Sequence, residues 1–234
     1  MAGVSGARVV AVDGPVASGK STVALRLAER LDLVLLDTGL LYRALAWLAL
    51  ERGIAPSDGA SIAALAPHLK LGSRPAASGR GRVARVLLGG CDVTDELQSE
   101  RVERVVSEVS RDARVRAALL EPQRAVAAEG AAVVAGRDIG TVIFPDASVK
   151  VYLQASAPER ARRRLAQRGG GTPAEGERVL DAILQRDRAD AGQMKPAADA
   201  VVIDTDGLDV DAVVDRIERL VRARWGDNDG GGDH

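Results

Sequence analysis

The sequence predicts an α/β protein: a doubly wound, five-stranded parallel sheet with helices on both faces, a small β-rich insert and a helical lid. Three observations carry that prediction. Five short apolar runs, Arg8–Val12, Leu33–Asp37, Ala131–Ala135, Val149–Leu153 and Ala200–Asp204, alternate with longer stretches of helical periodicity. Hydrophobic residues make up 46% of the 234-residue chain but aromatics only 2%, so the interior must be built of Val, Leu, Ala and Ile, as buried parallel strands are. The first run leads directly into Gly14-Pro-Val-Ala-Ser-Gly19-Lys20-Ser21 and then into a helical stretch, Thr22–Leu31.

That spacing, G-x-x-x-x-G-K-[ST] between a strand and a helix, is the phosphate-binding P-loop. Each residue type has a reason. Gly14 and Gly19 allow backbone angles that turn amide N–H groups inward, and Pro15, Val16, Ala17 and Ser18 complete the cradle. The helix beginning near Ser21 and Thr22 aims its positive end at the same anion. Lys20 supplies a mobile charge for the β- and γ-phosphates, and the Ser21 hydroxyl is placed to ligate Mg²⁺. Gly14 to Thr22 is therefore the expected ATP-binding set. Where the γ-phosphate goes is not stated by this motif.

The remaining elements follow in order. Asp37-Thr38-Gly39 starts a helix that runs from Leu40 to Arg52 and is closed by Gly53. Pro56–Gly59 is a turn, and Asp58 or Ser61 caps a short helix reaching about Leu65. Gly72–Gly81 reads as loop. Val83–Leu88 and Cys91–Val93 read as strands around a Gly89-Gly90 hairpin turn, an insertion expected to stand apart from the main sheet. Helices are expected over Glu100–Ser110 and Ala113–Glu129, with Asp112 as the cap between them and Gly130 as the stop. Pro158–Gln167 is a further helix, dense with Arg160, Arg162, Arg163 and Arg164. Gly169–Pro173 breaks it as a mobile segment before a helix from Glu177 to about Asp190, and Val210–Arg224 is the closing helix.

Whole-chain properties narrow the classes. A formal net charge of −1 gives no reason to expect nucleic acid or an anionic membrane as partner. No apolar run reaches the ~18 residues of a membrane span, Met1–Ala7 is too short and polar for a signal peptide, and Cys91 is the only cysteine. The expectation is a cytoplasmic monomer with a flexible N-terminus (1–7) and a disordered tail (226–234). A guanine-reading Asn-Lys-x-Asp is absent. Arg137-Asp-Ile-Gly140 has the Asp–Gly spacing of a GTPase's Walker-B-like strand end, so a GTPase, a regulatory ATPase module and a small-molecule kinase, of the shikimate or gluconate kind among others, stay open on the P-loop alone. A kinase needs a second, arginine-rich phosphate site facing the loop. Arg43, one helical turn beyond Gly39, and Arg137, just past the third strand, are placed to grip one acceptor phosphate bidentately.

Three segments together, Leu36-Asp-Thr-Gly-x-x-Tyr-Arg43, Gly136-Arg-Asp-Ile-Gly-Thr-Val-Ile-Phe-Pro-Asp146 and Arg186-Asp-x-x-Asp190, resemble the successive signatures of the bacterial cytidylate kinases, and the likeness runs from Val9 to about Trp225. The resemblance implies a single kinase domain over 8–225, with a monophosphate-binding insertion at about 38–110 and a lid at about 159–185. It implies transfer of the ATP γ-phosphate to CMP or dCMP, with Mg²⁺. By the same resemblance Arg43 and Arg137 would hold the CMP phosphate, supported by Thr38 and Tyr42. Ser107, Arg116 and Asp138 would read cytosine, whose N4 amino donor and N3/O2 acceptors match a carboxylate plus a guanidinium. Arg186 and Asp190 would hold the ribose, and Lys20, Arg137, Arg162 and Arg163 would act on the transferring phosphoryl group. One departure stands out: the family pattern places an Arg where this chain has Gln193, and Lys195 follows as a point charge.

Overall fold

The computed structural model describes residues 8–192 and 194–226. The expected flexible N-terminus (1–7), the tail from 227 onward and Gln193 lie outside the described residues. The five core strands are β1 (Val9–Asp13), β2 (Val34–Asp37), β6 (Ala132–Gly136), β7 (Val149–Gln154) and β8 (Val201–Asp204), all mutually parallel in the order β2-β6-β1-β7-β8. Their inward runs of Val and Ala leave every residue of β1 and β6 buried, as strands covered on both faces must be.

The insert does not stand apart. β3 (Leu69–Pro75), β4 (Arg82–Leu88) and β5 (Cys91–Asp92) extend the same sheet: β4 runs parallel to β2 through Val34↔Arg82 and Leu35↔Val83, and β3 and β5 pair antiparallel to β4. Two contacts dock it. Arg82 N donates to Leu33 O at 2.9 Å, and Gly81 N to Asp32 Oδ1 at 2.8 Å. Gly81 has φ +71, and a Cβ there would lie 2.7 Å from Ala28 O, so glycine is what lets the insert approach the core. The segment Gly72–Pro75, read as loop, is edge strand, where Gly and Pro are tolerated because one side of the ladder is unpaired. Gly89 and Gly90 form the expected two-residue turn, both with positive φ.

One face of the sheet is covered by α1 (Lys20–Leu31) and α8 (Val210–Trp225), through Leu27, Val213 and Ile217. A second core joins α2 (Gly39–Glu51), α3 (Gly59–Ala63), α4 (Glu100–Val109) and α5 (Ala113–Arg124) around Leu41, Leu45, Leu97 and Leu119. Asp58 caps α3 through Ser61 N, and Asp112 caps α5 through Arg114 N and Val115 N. The helix read as continuing to Glu129 leaves α geometry after Arg124 and finishes as a 3₁₀ turn, Ala125–Glu129. The segment expected to form the lid is an antiparallel pair, α6 (Ala157–Gln167) and α7 (Pro173–Asp190), joined by Ala161, Val179 and Ile183 and resting on Val16 and Ala17. Thr172-Pro173, read as part of a break, starts α7. Pro173 takes the first helical turn, where its missing N–H costs nothing, and Thr172 and Glu175 form a capping box.

Candidate active site

All the carboxyl ends of β1, β2 and β6 open on one cleft of about 200 Å³. At its floor the loop after β1 bends sharply. Gly14 has φ +154, and a Cβ there would lie 2.4 Å from Leu153 O of β7. Ala17 adopts φ +59, unusual for a residue with a Cβ, and Gly19 begins α1 with no side-chain cap. The first amides of α1 are therefore available to an anion. Val16, Ala17, Gly19, Lys20, Ser21 and Thr22 line the cleft, with Gly14, Pro15 and Ser18 behind them. Ser18 Oγ is buried with no hydrogen-bond partner. Lys20 Nζ donates to Pro15 O at 2.9 Å. Burial, helped by the nearby Arg137 and Arg186, pushes the Lys20 ammonium down to about 8 against the pull of Asp37. Ser21 Oγ donates to Asp37 Oδ2 at 2.6 Å, while Asp37 Oδ1 accepts from Gly39 N.

The opposite wall comes from the end of β6. Thr38 is buried, and its N and Oγ1 both donate to Ala135 O, at 2.9 and 3.0 Å, which pins the start of α2 to that strand. Arg137 ion-pairs with Asp190, and Asp138 pairs with Arg116, whose guanidinium also donates to Tyr42 OH at 3.4 Å and lies over its ring at 6.0 Å. Burial raises the Asp138 carboxyl against the pull of Arg116, and burial with Arg186 nearby lowers Arg137 to about 10. The chain then forms a single π-helical turn, Ile139–Ile143. It is held by Asp13, the last residue of β1, whose Oδ1 and Oδ2 accept from Ile139 N and Gly140 N, each at 2.8 Å. Burial pushes the Asp13 carboxyl up to about 6 despite those two donors. Asp13 thus ties the P-loop strand to the loop carrying Arg137 and Asp138.

The arginines of α6 separate by direction. Arg160 is buried in a bidentate pair with Asp187, at 3.0 and 2.5 Å. Arg162 pairs with Glu159 on the outer face, its side chain 69% exposed. Arg163 reaches back to Ser18 O at 3.2 Å and Thr205 O at 2.6 Å, beside the loop but outside the cleft lining. Arg164 is the one that enters the cleft, with Arg186 of α7. Asp190, 3% exposed, lies behind the wall between Arg137 and Arg186. Ser107 is not among the residues lining the cavity, where Val106 and Ser110 stand; its carbonyl accepts from Arg111 Nε at 2.9 Å.

Six cations line the cleft (Lys20, Arg43, Arg116, Arg137, Arg164, Arg186) against three acids (Asp37, Glu103, Asp138). Such a surplus at low dielectric makes the cleft attractive to anionic groups. Asp13, Asp37 as the partner of Ser21, and Glu103 are the polar residues that sequence reasoning did not single out. Asp13 and Asp37 carried a signal, as acids closing buried strands; Glu103 carried none.

A family model described as Cytidylate kinase matches residues 10–223. A cytidylate kinase of Roseiflexus castenholzii is 43% identical over 228 residues, covering 96% of each chain. One of Geobacter sp. is 42% identical, covering 95% of this chain and 96% of its own. A bifunctional pantoate ligase/cytidylate kinase of Synechococcus sp. is 46% identical over 92% of this chain, which spans about 45% of that longer protein. The P-loop, the arginine-lined wall opposite it and the full-length match have one meaning: the chain belongs to the cytidylate kinase family.

Proposed function

We propose that this chain transfers the γ-phosphoryl group of ATP to CMP or dCMP, giving ADP and CDP or dCDP. The observation that carries the reading is the pairing of one P-loop with a facing wall that holds both arginines and the Asp138–Arg116 pair. ATP lies on Gly14–Thr22. The acceptor lies between the insertion (about 38–110) and the lid (about 159–185), its phosphate near Arg43 and Arg137 and its cytosine edge toward Asp138 and Arg116. Arg186 and Asp190 support the ribose end.

The nucleophile is a phosphate oxygen that is already anionic, so no strong general base is needed. This chain's residues supply alignment and neutralisation of charge. Lys20 leaves Pro15 O and follows the γ-phosphate. Arg137 and Arg164 neutralise the acceptor side, and Arg163 braces the P-loop through Ser18 O. Closure of α6 and α7 excludes the water that would otherwise hydrolyse ATP. The Ser21 hydroxyl and Asp37 carboxylate, 2.6 Å apart, are hard oxygen donors of the kind Mg²⁺ takes when phosphates complete its shell. Among the described residues no cluster of three acidic, His or Cys ligands exists, in keeping with a metal that arrives with its nucleotide. When bound, Mg²⁺ would neutralise the β- and γ-oxygens.

One chain supplies both walls of the cleft, which supports a monomer as the working unit. Among the described residues no helix is long and apolar enough to cross a membrane; the cytoplasm is the setting this reading implies. ADP formation from ATP, followed in a coupled assay with CMP, dCMP, UMP, AMP or no acceptor, tests the reading. Turnover is expected to be highest with CMP or dCMP. ADP formation independent of acceptor would refute it.

A further inference from the structure

Glu103 stands where no motif requires an acid. It projects from α4 into the cleft and meets arginines from three other helices. Its Oε2 accepts from Arg43 Nη2 of α2 at 3.2 Å, and its Oε1 from Arg164 Nη2 of α6 at 3.2 Å and Arg186 Nη1 of α7 at 3.3 Å. Several guanidinium groups converging on one pair of oxygens is the arrangement that a phosphate monoester attracts. Asp190 also faces Arg186, but it is 3% exposed and fixed behind the wall, whereas the Glu103 side chain is 32% exposed. Glu103 can therefore rotate into water and regain hydration; what it gives up is its contacts with Arg43, Arg164 and Arg186. The cleft of about 200 Å³ adjoins a second cavity of about 510 Å³, and Glu103, Arg164 and Arg186 line both.

We infer that Glu103 is a built-in surrogate for the acceptor's phosphate. Its carboxylate gathers Arg43, Arg164 and Arg186 before a phosphate monoester arrives, and releases them to that phosphate on binding. The inference rests on the reading of this cleft as the acceptor site. It makes Glu103 a positioning residue that sets acceptor affinity: each binding event exchanges one anion for another on the same arginines. Removing the carboxylate's charge removes the competitor. Affinity then rises for ligands that carry a phosphate and stays unchanged for those that do not.

The test is a calorimetric titration of inorganic phosphate, CMP and cytidine into the wild type, Glu103→Gln and Glu103→Ala, with circular dichroism as the check on folding and steady-state kinetics on CMP. In both variants the Kd for phosphate and for CMP is expected to fall about tenfold, equivalent to about 1.4 kcal/mol. Cytidine binding should not change, and the KM for CMP should fall without a rise in kcat. Equal or weaker binding of phosphate and CMP in the two variants overturns the inference, because the carboxylate then organises the arginines without competing for them. An equal gain for cytidine overturns it too. A wild type that does not phosphorylate CMP refutes the kinase reading instead, and the phosphate titration still decides the role of Glu103.

Discussion

Replacing Asp13 by Asn tests how the two halves of the cleft are joined. Asp13 is 4% exposed, accepts from Ile139 N and Gly140 N, and has its carboxyl raised from 3.8 to about 6 by burial. The folded value lies above the unfolded one, so the native state holds the proton more tightly. Its contribution to stability is fully present below about pH 4 and is lost as pH rises through about 6. A shift of roughly two units corresponds to about 3 kcal/mol. Urea unfolding of wild type and Asp13→Asn, measured from about pH 4 to 8, isolates this contribution. Acids held low by their partners, such as Glu159 and Asp112, act equally in both proteins and cancel. The stability of the wild type relative to the variant is expected to fall by about 2 kcal/mol between pH 4 and 7.5, most of the full effect, and to be flat above. A difference that stays constant with pH, or grows as pH rises, would refute the account of Asp13 as a carboxyl whose burial outweighs its two backbone donors.

Three further outcomes are expected. Lys20→Ala should lower kcat for CMP by about 10²–10³-fold or more with thermal unfolding little changed; near-normal turnover would remove Lys20 from the chemistry. Asp138→Asn should reduce kcat/KM for CMP more than for UMP, because uracil offers an acceptor where cytosine offers a donor, a mismatch worth about 1–3 kcal/mol in a dry site; equal losses on both bases would show that Asp138 does not read the base. Gly59→Ala should destabilise by about 1–2 kcal/mol without altering KM, since a Cβ there would meet Asp112 Oδ2 at 1.9 Å and displace the cap of α5; an unchanged urea midpoint would contradict the capping role.

The parallel core was legible because its strands are short, apolar and bounded by turn residues, and the P-loop because its chemistry is local. Arg43, Arg137 and Asp138 line one cleft because each follows a strand end directly or within about a helical turn, whereas Arg116, on α5, was expected there only through the family resemblance. What could not be read was decided by packing. Arg160, Arg162, Arg163 and Arg164 follow one another on a single helix, so their directions differ by about 100° per residue, and only the packing of α6 on α7 selects Arg164 for the cleft. The Gly72–Pro75 stretch looks like loop by composition. It becomes a strand because β4 offers it an edge, with which it pairs antiparallel from Leu69↔Leu88 to Pro75↔Arg82. Glu103 lies in an ordinary amphipathic helix, and its three arginines come from segments 60 to 83 residues away.

The most direct test of the central claim follows the phosphoryl group itself. Incubation with [γ-³²P]ATP, Mg²⁺ and CMP, with the products separated by ion exchange, reports where the label goes. The account predicts labelled CDP in step with ADP and little label as inorganic phosphate. Label released as inorganic phosphate, or CDP absent while ATP is consumed, would contradict it.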